Sequence, residues 1–226
     1  MLSSVEQRLS TWNELMRKKK AEERDKDVYT ITLSREYGCE GFPLAEALKV
    51  EMEKKTGKTW SIFDKALIEG ILEDHEISRN LLENLGERPW FLDNLISHLM
   101  PLWKTDAEIY KLMSETIYTL AKAGNCIIVG RGGAVLTQDI AQSFHFRIEA
   151  PIDFRLNSLQ KRGGISIDEA KTLLKEKQQK RDHFLNKFIN KNISDIDYYH
   201  LVFNNAKVNV KVMAKTVIDF IELNGK

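Results

Sequence analysis

The sequence predicts an α/β protein, a parallel sheet of about five strands with helices on both faces, and three observations carry that expectation. From residue 28 onward, short apolar or β-branched runs alternate with segments of helical periodicity. One run, Cys126-Ile127-Ile128-Val129, is apolar without a break between Gly124 and Gly130-Arg131-Gly132-Gly133, as a strand buried on both faces requires. Finally, Arg35, Asp64 and Arg131 each stand just after an expected strand, at the edge where open parallel sheets bind ligands.

The elements follow in order. In the segment 1–27, Val5, Leu9, Trp12, Leu15 and Met16 recur at helical spacing before the almost wholly charged run MRKKKAEERDKD. This is an amphipathic helix ending in a solvated stretch, able to dock on the body of the protein or to join copies into a homo-oligomer. The main domain is expected over 28–226. Its first strand is Tyr29–Leu33, followed by a polar, glycine-containing turn and a helix on which Leu44, Ala45, Leu48 and Met52 share a face, with Pro43 in the first turn. A second strand, Thr59–Phe63, ends at Asp64. Helical periodicity then marks Lys65–Asp74, Ser78–Leu85, Phe91–Leu102 and Ala107–Ala123. After Cys126–Val129 come a strand at Ser143–Glu149, a helix over Asp153–Lys161 behind Pro151, and a second polar helix pair from Ser166 through Lys180, continuing towards Phe188. A last strand at His200–Phe203 and a helix over Val208–Leu223 close the chain.

The turn Ser34-Arg35-Glu36-Tyr37-Gly38-Cys39-Glu40-Gly41 between the first strand and the first helix has the layout of a phosphate cradle. Strand, glycine turn and helix start point unpaired backbone N–H groups and the positive end of the helix dipole at one place. The usual signature closes with Lys and Ser/Thr after the last glycine. Here those positions hold Phe42 and Pro43.

Composition narrows the function classes. The 226 residues are 42% hydrophobic and 30% charged, and 34 Lys+Arg against 33 Asp+Glu leave a formal net charge of +1. That balance argues against binding DNA, RNA or a membrane through bulk charge. Cys39 and Cys126 match no metal spacing and read as free thiols of a reducing cytoplasm. His145, His183 and His200 have no paired spacing for a metal or a catalytic triad, so they read as structural, and no metal-ligand set is expected from the side chains.

SREYG (Ser34–Gly38), FDK (Phe63–Lys65), IIVGRGG (Ile127–Gly133), APIDFRLNSLQKR (Ala150–Arg162) and the Lys177–Phe184 stretch occur in this order. Together they resemble the cytidylate kinase-like family, a branch of the P-loop nucleoside monophosphate kinases. The resemblance implies a three-layer α/β/α P-loop fold, a helical acceptor-binding insertion at 65–105, and a helical lid at 162–190. It further implies ATP with Mg²⁺ as donor and CMP or dCMP as acceptor. The loop residues Gly38, Cys39, Glu40, Gly41 and Phe42 would hold ATP, Asp64 would lie near the pyrimidine nucleotide, and Arg131 would hold its α-phosphate. Arg155 and Arg162 resemble the arginines ending the helix that leads into the lid. Arg181 resembles the lid arginine that closes on the transferring phosphate.

The residues admit plainer roles as well. Asp64 is well placed to cap the helix that follows it, and Arg155, Arg162 and Arg181 stand on polar helices where surface arginines are common. The loop itself departs from the family, whose members usually carry a basic residue where this chain has Phe42. Pro43 offers neither hydroxyl nor N–H, and Glu40 adds negative charge to a phosphate cradle. Two readings follow: a kinase in which Arg35 and the lid arginines replace the missing lysine, or an impaired relative that binds a nucleotide or a protein partner through the same scaffold. If the loop still faces a phosphate, Phe42→Arg is expected to raise ATP affinity, measured by calorimetric titration. An unchanged affinity would mean that it no longer does.

Overall fold

The computed structural model describes residues 28–73, 106–188 and 192–224. The N-terminal segment 1–27 and the expected helices at 78–85 and 91–102 lie outside these residues.

Five strands form one wholly parallel sheet: β1 (Thr30–Arg35), β2 (Ser61–Phe63), β3 (Cys126–Val129), β4 (Ser143–Glu149) and β5 (Leu201–Asn204), in spatial order β2-β3-β1-β4-β5. The helices are α1 (Gly41–Thr56), α2 (Lys65–Glu73), α3 (Asp106–Ala123), the single turn α4 (Gly133–Leu136), α5 (Ile152–Gly163), α6 (Ile167–Phe188) and α7 (Val210–Asn224).

Side-chain alternation sorts the core into two layers. Ile31 and Leu33 of β1 join Ile127 and Val129 of β3 against Leu44, Leu48 and Met52 of α1 and Met213, Val217 and Ile221 of α7. Cys126 and Ile128 face the other way and pack with Phe63, with Leu67, Ile68 and Ile71 of α2, and with Ile117 and Leu120 of α3. β3 is therefore buried on both faces, which is why its sequence carries no polar residue. On the α3 side of β1, Thr30 donates its hydroxyl to the Ala121 carbonyl at 2.8 Å. The three layers of the expected fold are all present.

Several boundaries differ from the sequence expectation for local reasons. β1 runs two residues past Leu33, because Ser34 and Arg35 continue the ladder opposite Arg147 and Ile148 of β4. β2 begins at Ser61 rather than Thr59; Trp60 is buried, and its indole donates to the Thr56 hydroxyl at 3.2 Å. α7 starts at Val210 because Asn209 caps it, its side-chain oxygen accepting from Val212 N at 3.0 Å. α6 is a single 22-residue helix where a helix pair was expected, its polar sequence containing neither Gly nor Pro to break it. It opens with a capping box in which Ser166 Oγ accepts from Glu169 N and Glu169 Oε2 accepts from Ser166 N. A small cluster of Leu156, Leu159, Ala170 and Leu174, with Tyr37 packed against it, joins α5 to α6.

Two histidines read as structural prove to lie together, His145 buried and His200 exposed, with ring centroids 5.3 Å apart. His145 Nδ1 lies 2.8 Å from the Thr32 hydroxyl, and its backbone N–H donates to His200 Nδ1 at 2.9 Å. Burial, and then the neighbouring His200, bring the His145 imidazole down to about 4. Below the ordinary value of 6.5, the unfolded chain takes up a proton that the folded chain refuses until about pH 4. Folding stability should therefore fall as pH drops from 6.5 towards 4, by up to about 3 kcal/mol from this residue. Urea unfolding across that range should show a shallower pH dependence for His145→Gln; an identical slope would show that His145 is not the titrating group.

Candidate phosphate-binding site

The carboxyl edge of the sheet is where the loop between β1 and α1 lies, and five arginines from four parts of the chain gather there. Arg35 ends β1. Its aliphatic stem packs against Gly41, where an added Cβ would sit 3.0 Å from Arg35 Cγ, and its guanidinium reaches β3, where a Cβ on Gly130 would overlap Nη1. Gly130 has φ +84 and Gly38 has φ +99, both in the left-handed region that favours glycine. Arg131 follows with φ +54, and its guanidinium pairs with Glu69 of α2.

The helices α5 and α6 supply the other three. Arg155 passes close over the loop, leaving room at Gly38 for a hydrogen only: a Cβ there would meet Arg155 Cβ at 2.6 Å. Arg162 Nη2 donates to the Gly38 carbonyl at 2.7 Å. Arg181 donates from Nη1 to the Arg35 carbonyl at 3.2 Å and stacks over the Tyr37 ring at 5.0 Å. Far from forming a solvated charged face, Arg181 is tucked against the loop.

The charges are incompletely matched. Arg35 is pulled down to about 9, first by burial and then by the neighbouring Arg181 and Arg131, with Asp64 opposing. It still carries its charge at neutral pH. Arg181 and Arg131 are both lowered as well, each mainly by burial. Arg155 Nε is buried with no hydrogen-bond acceptor among the described residues, a carboxylate oxygen of Glu36 lying 3.6 Å away. A set of close, partly desolvated guanidinia is costly to assemble without an anion and well suited to hold one.

The carboxylates at this edge have other attachments. Asp64 Oδ1 accepts from Leu67 N at 2.9 Å and so caps α2, the plainer of its two expected roles, while its charge also faces Arg35. Glu36 accepts from Ala150 N at 3.1 Å. Glu40, expected to oppose a phosphate from inside the loop, is tied to Asn205. The Asn205 amide donates to Glu40 Oε2 at 3.0 Å while its oxygen accepts from Glu40 N at 2.8 Å. A residue 165 positions away thus engages both the backbone N–H and the carboxylate of Glu40. Cys39 is buried, and burial, followed by the Glu36 charge, pushes its thiol up to about 11, so it is an inert filler of the loop.

The structure thus brings together Arg35, Arg131, Arg155, Arg162 and Arg181 around Gly38–Gly41, with Asp64 beside them. Phe42 is half-buried in the first turn of α1 and brings no charge. Sequence reasoning missed Tyr37, Gln178 and Asn205. Gln178 Oε1 accepts from Tyr37 N at 2.9 Å, which clamps α6 to the loop. Asn205 directly follows β5, so the rule that found Arg35, Asp64 and Arg131 would have found it had uncharged residues been included. Gln178, in the middle of a long polar helix, had no such signal.

The fold and this edge define a three-layer α/β protein of the P-loop type, a nucleoside monophosphate kinase-like chain. It belongs to the cytidylate kinase-like family, whose profile it matches over residues 30–207. A cytidylate kinase of Pyrococcus horikoshii is 33% identical over 111 residues, which cover 46% of this chain and 55% of that protein. The chain thus spans about half the length of this curated relative. Among solved structures, an uncharacterized protein from Eubacterium ventriosum superposes with a TM-score of 0.61 at 16% identity, covering 86% of this chain and 98% of that one. That likeness is one of fold. A shikimate kinase of Bacteroides thetaiotaomicron gives a TM-score of 0.45 at 13% identity, over 86% of this chain and 99% of its own.

The packing of Arg35 between two glycines can be tested directly. Gly130 and Gly57 both have positive φ, yet a Cβ at Gly57 would meet nothing within 4 Å. Gly130→Ala should therefore cost more stability than Gly57→Ala, by about 1 kcal/mol or more, since only it must also displace a buried guanidinium. Equal losses in urea unfolding would show that Arg35 is not packed there.

Proposed function

We propose that this chain is a phosphotransferase that moves the γ-phosphate of ATP to CMP or dCMP. The observation that supports this reading best is the convergence of five arginines on the glycine loop at the carboxyl edge of the sheet. Transfer to an already ionised phosphate needs no general base. It needs two polyanions held in line and the charge on the equatorial oxygens neutralised.

In this proposal an oxygen of the acceptor's α-phosphate attacks the γ-phosphorus, and the bond to the β-bridging oxygen breaks, its electron pair leaving with ADP. Arg131 holds the acceptor phosphate. Arg35, lying beneath the loop and reaching β3, takes the place of the lysine that Phe42 does not supply. Arg155, Arg162 and Arg181 come down from α5 and α6 onto the donor phosphates and the group in transfer. Asp64 holds α2 in place for the acceptor side. Cys39, Glu40 and Gly41 shape the loop rather than contribute charge.

Phe42 and Pro43 favour a second reading, in which the same arginines bind a nucleotide without turnover. Product analysis separates the two. ATP is supplied with CMP, dCMP, UMP and AMP in parallel, with and without magnesium, and nucleoside diphosphate is measured. CDP or dCDP should form, and Arg131→Ala should lower kcat/KM by about 10²-fold or more. The absence of product with every acceptor at high enzyme concentration would leave the binding scaffold.

A further inference from the structure

Magnesium is normally held at such sites by one or two protein oxygens together with the substrate phosphates. The loop hydroxyl that would serve is replaced by Pro43. The carboxylates round the loop are engaged elsewhere: Glu36 on Ala150 N, Glu40 on Asn205, Asp64 on Leu67 N, Glu69 on Arg131 and Glu149 on Arg147. Ser34 Oγ, the hydroxyl nearest the start of the loop, lies 3.2 Å from Arg147 Nη1, from which it accepts. The residues present therefore do not fit a resident Mg²⁺.

They fit something else. Arginine binds phosphate bidentately, through the same β- and γ-oxygens that magnesium would occupy, and a dication placed among five guanidinia is repelled by all of them. Arg155 Nε, buried and without a hydrogen-bond acceptor among the described residues, is one donor that such an oxygen would satisfy. We propose that this loop is a binding site for the metal-free polyphosphate of a nucleotide, with Arg35, Arg155 and Arg181 supplying the neutralisation that magnesium supplies elsewhere. The inference rests on the reading that the loop receives nucleotide phosphates. It concerns their binding, whether or not transfer follows.

Calorimetric titration of the full chain at fixed ionic strength tests it, with ATP and with inorganic tripolyphosphate, each in EDTA and in excess MgCl₂. Affinity in EDTA should equal or exceed that in magnesium for both probes. Arg35→Ala and Arg181→Ala should each weaken metal-free binding at least tenfold, with Arg35→Lys retaining more of it than Arg35→Ala and serving as the folded control. Weaker affinity in EDTA than in magnesium would overturn the proposal and leave the kinase reading standing. Metal-free binding with no diphosphate product would do the reverse. Absence of binding in both buffers, or alanine variants with undiminished affinity, would overturn the assignment.

Discussion

Arg35 lies between the glycine loop and the end of β3, and most of the carboxyl edge is arranged around its side chain. Its stem needs Gly41 to lack a side chain, and its guanidinium needs the same of Gly130. Its carbonyl takes a hydrogen bond from Arg181, which stacks on Tyr37, while Asp64 partly balances its charge from the end of β2. A buried cation flanked by two others is an unstable arrangement unless something holds it in place. Here the parallel ladder does so, since Arg35 is still paired with Ile148 of β4 when its side chain turns beneath the loop.

Polar contacts at a distance in sequence hold this edge in shape. Asn205 ties the loop after β5 to Glu40, and Gln178 ties α6 to Tyr37. Arg147, buried in β4, gathers Ser34, Glu149, Ser194 and the Ile193 carbonyl, and so fixes the segment that leads from α6 back into the sheet. The contacts of Asn205, of Gln178 and of Arg147 with Ser34 each join two segments that are far apart in sequence but meet at this edge. On the proposed reading, where the chemistry is neutralisation of phosphate charge, placement of donors matters more than any acid or base.

Much of the architecture could be read from the chain. The unbroken apolar run of β3 announced a strand buried on both faces, and most helices of the described residues emerged with small shifts at their ends, the exceptions being the turn α4, which was not expected, and α6, which was expected as a pair. Arg35, Asp64 and Arg131 were recognisable because each follows a strand, which places them at one edge whatever the side-chain details. The errors had local causes: Asn209 capped α7 later than periodicity suggested, and β1 ran on because β4 offered it a partner. The partner of Glu40 was not legible because Asn205 stands near the other end of the domain.

By itself, then, the sequence determined the sheet, its layers and which side chains stand at its carboxyl edge. These follow from periodicity and chain order, both local properties. It also determined that the loop has neither Lys nor Ser/Thr after its last glycine. Only the tertiary structure decided where charge resides: that Glu40 faces Asn205, that Asp64 caps α2, and that Arg181 leaves an apparently solvated helix face to lie against the loop. Charge at a site is a sum over groups brought together from distant parts of the chain, and its strength depends on how much water their packing removes. Neither quantity exists until the chain has folded.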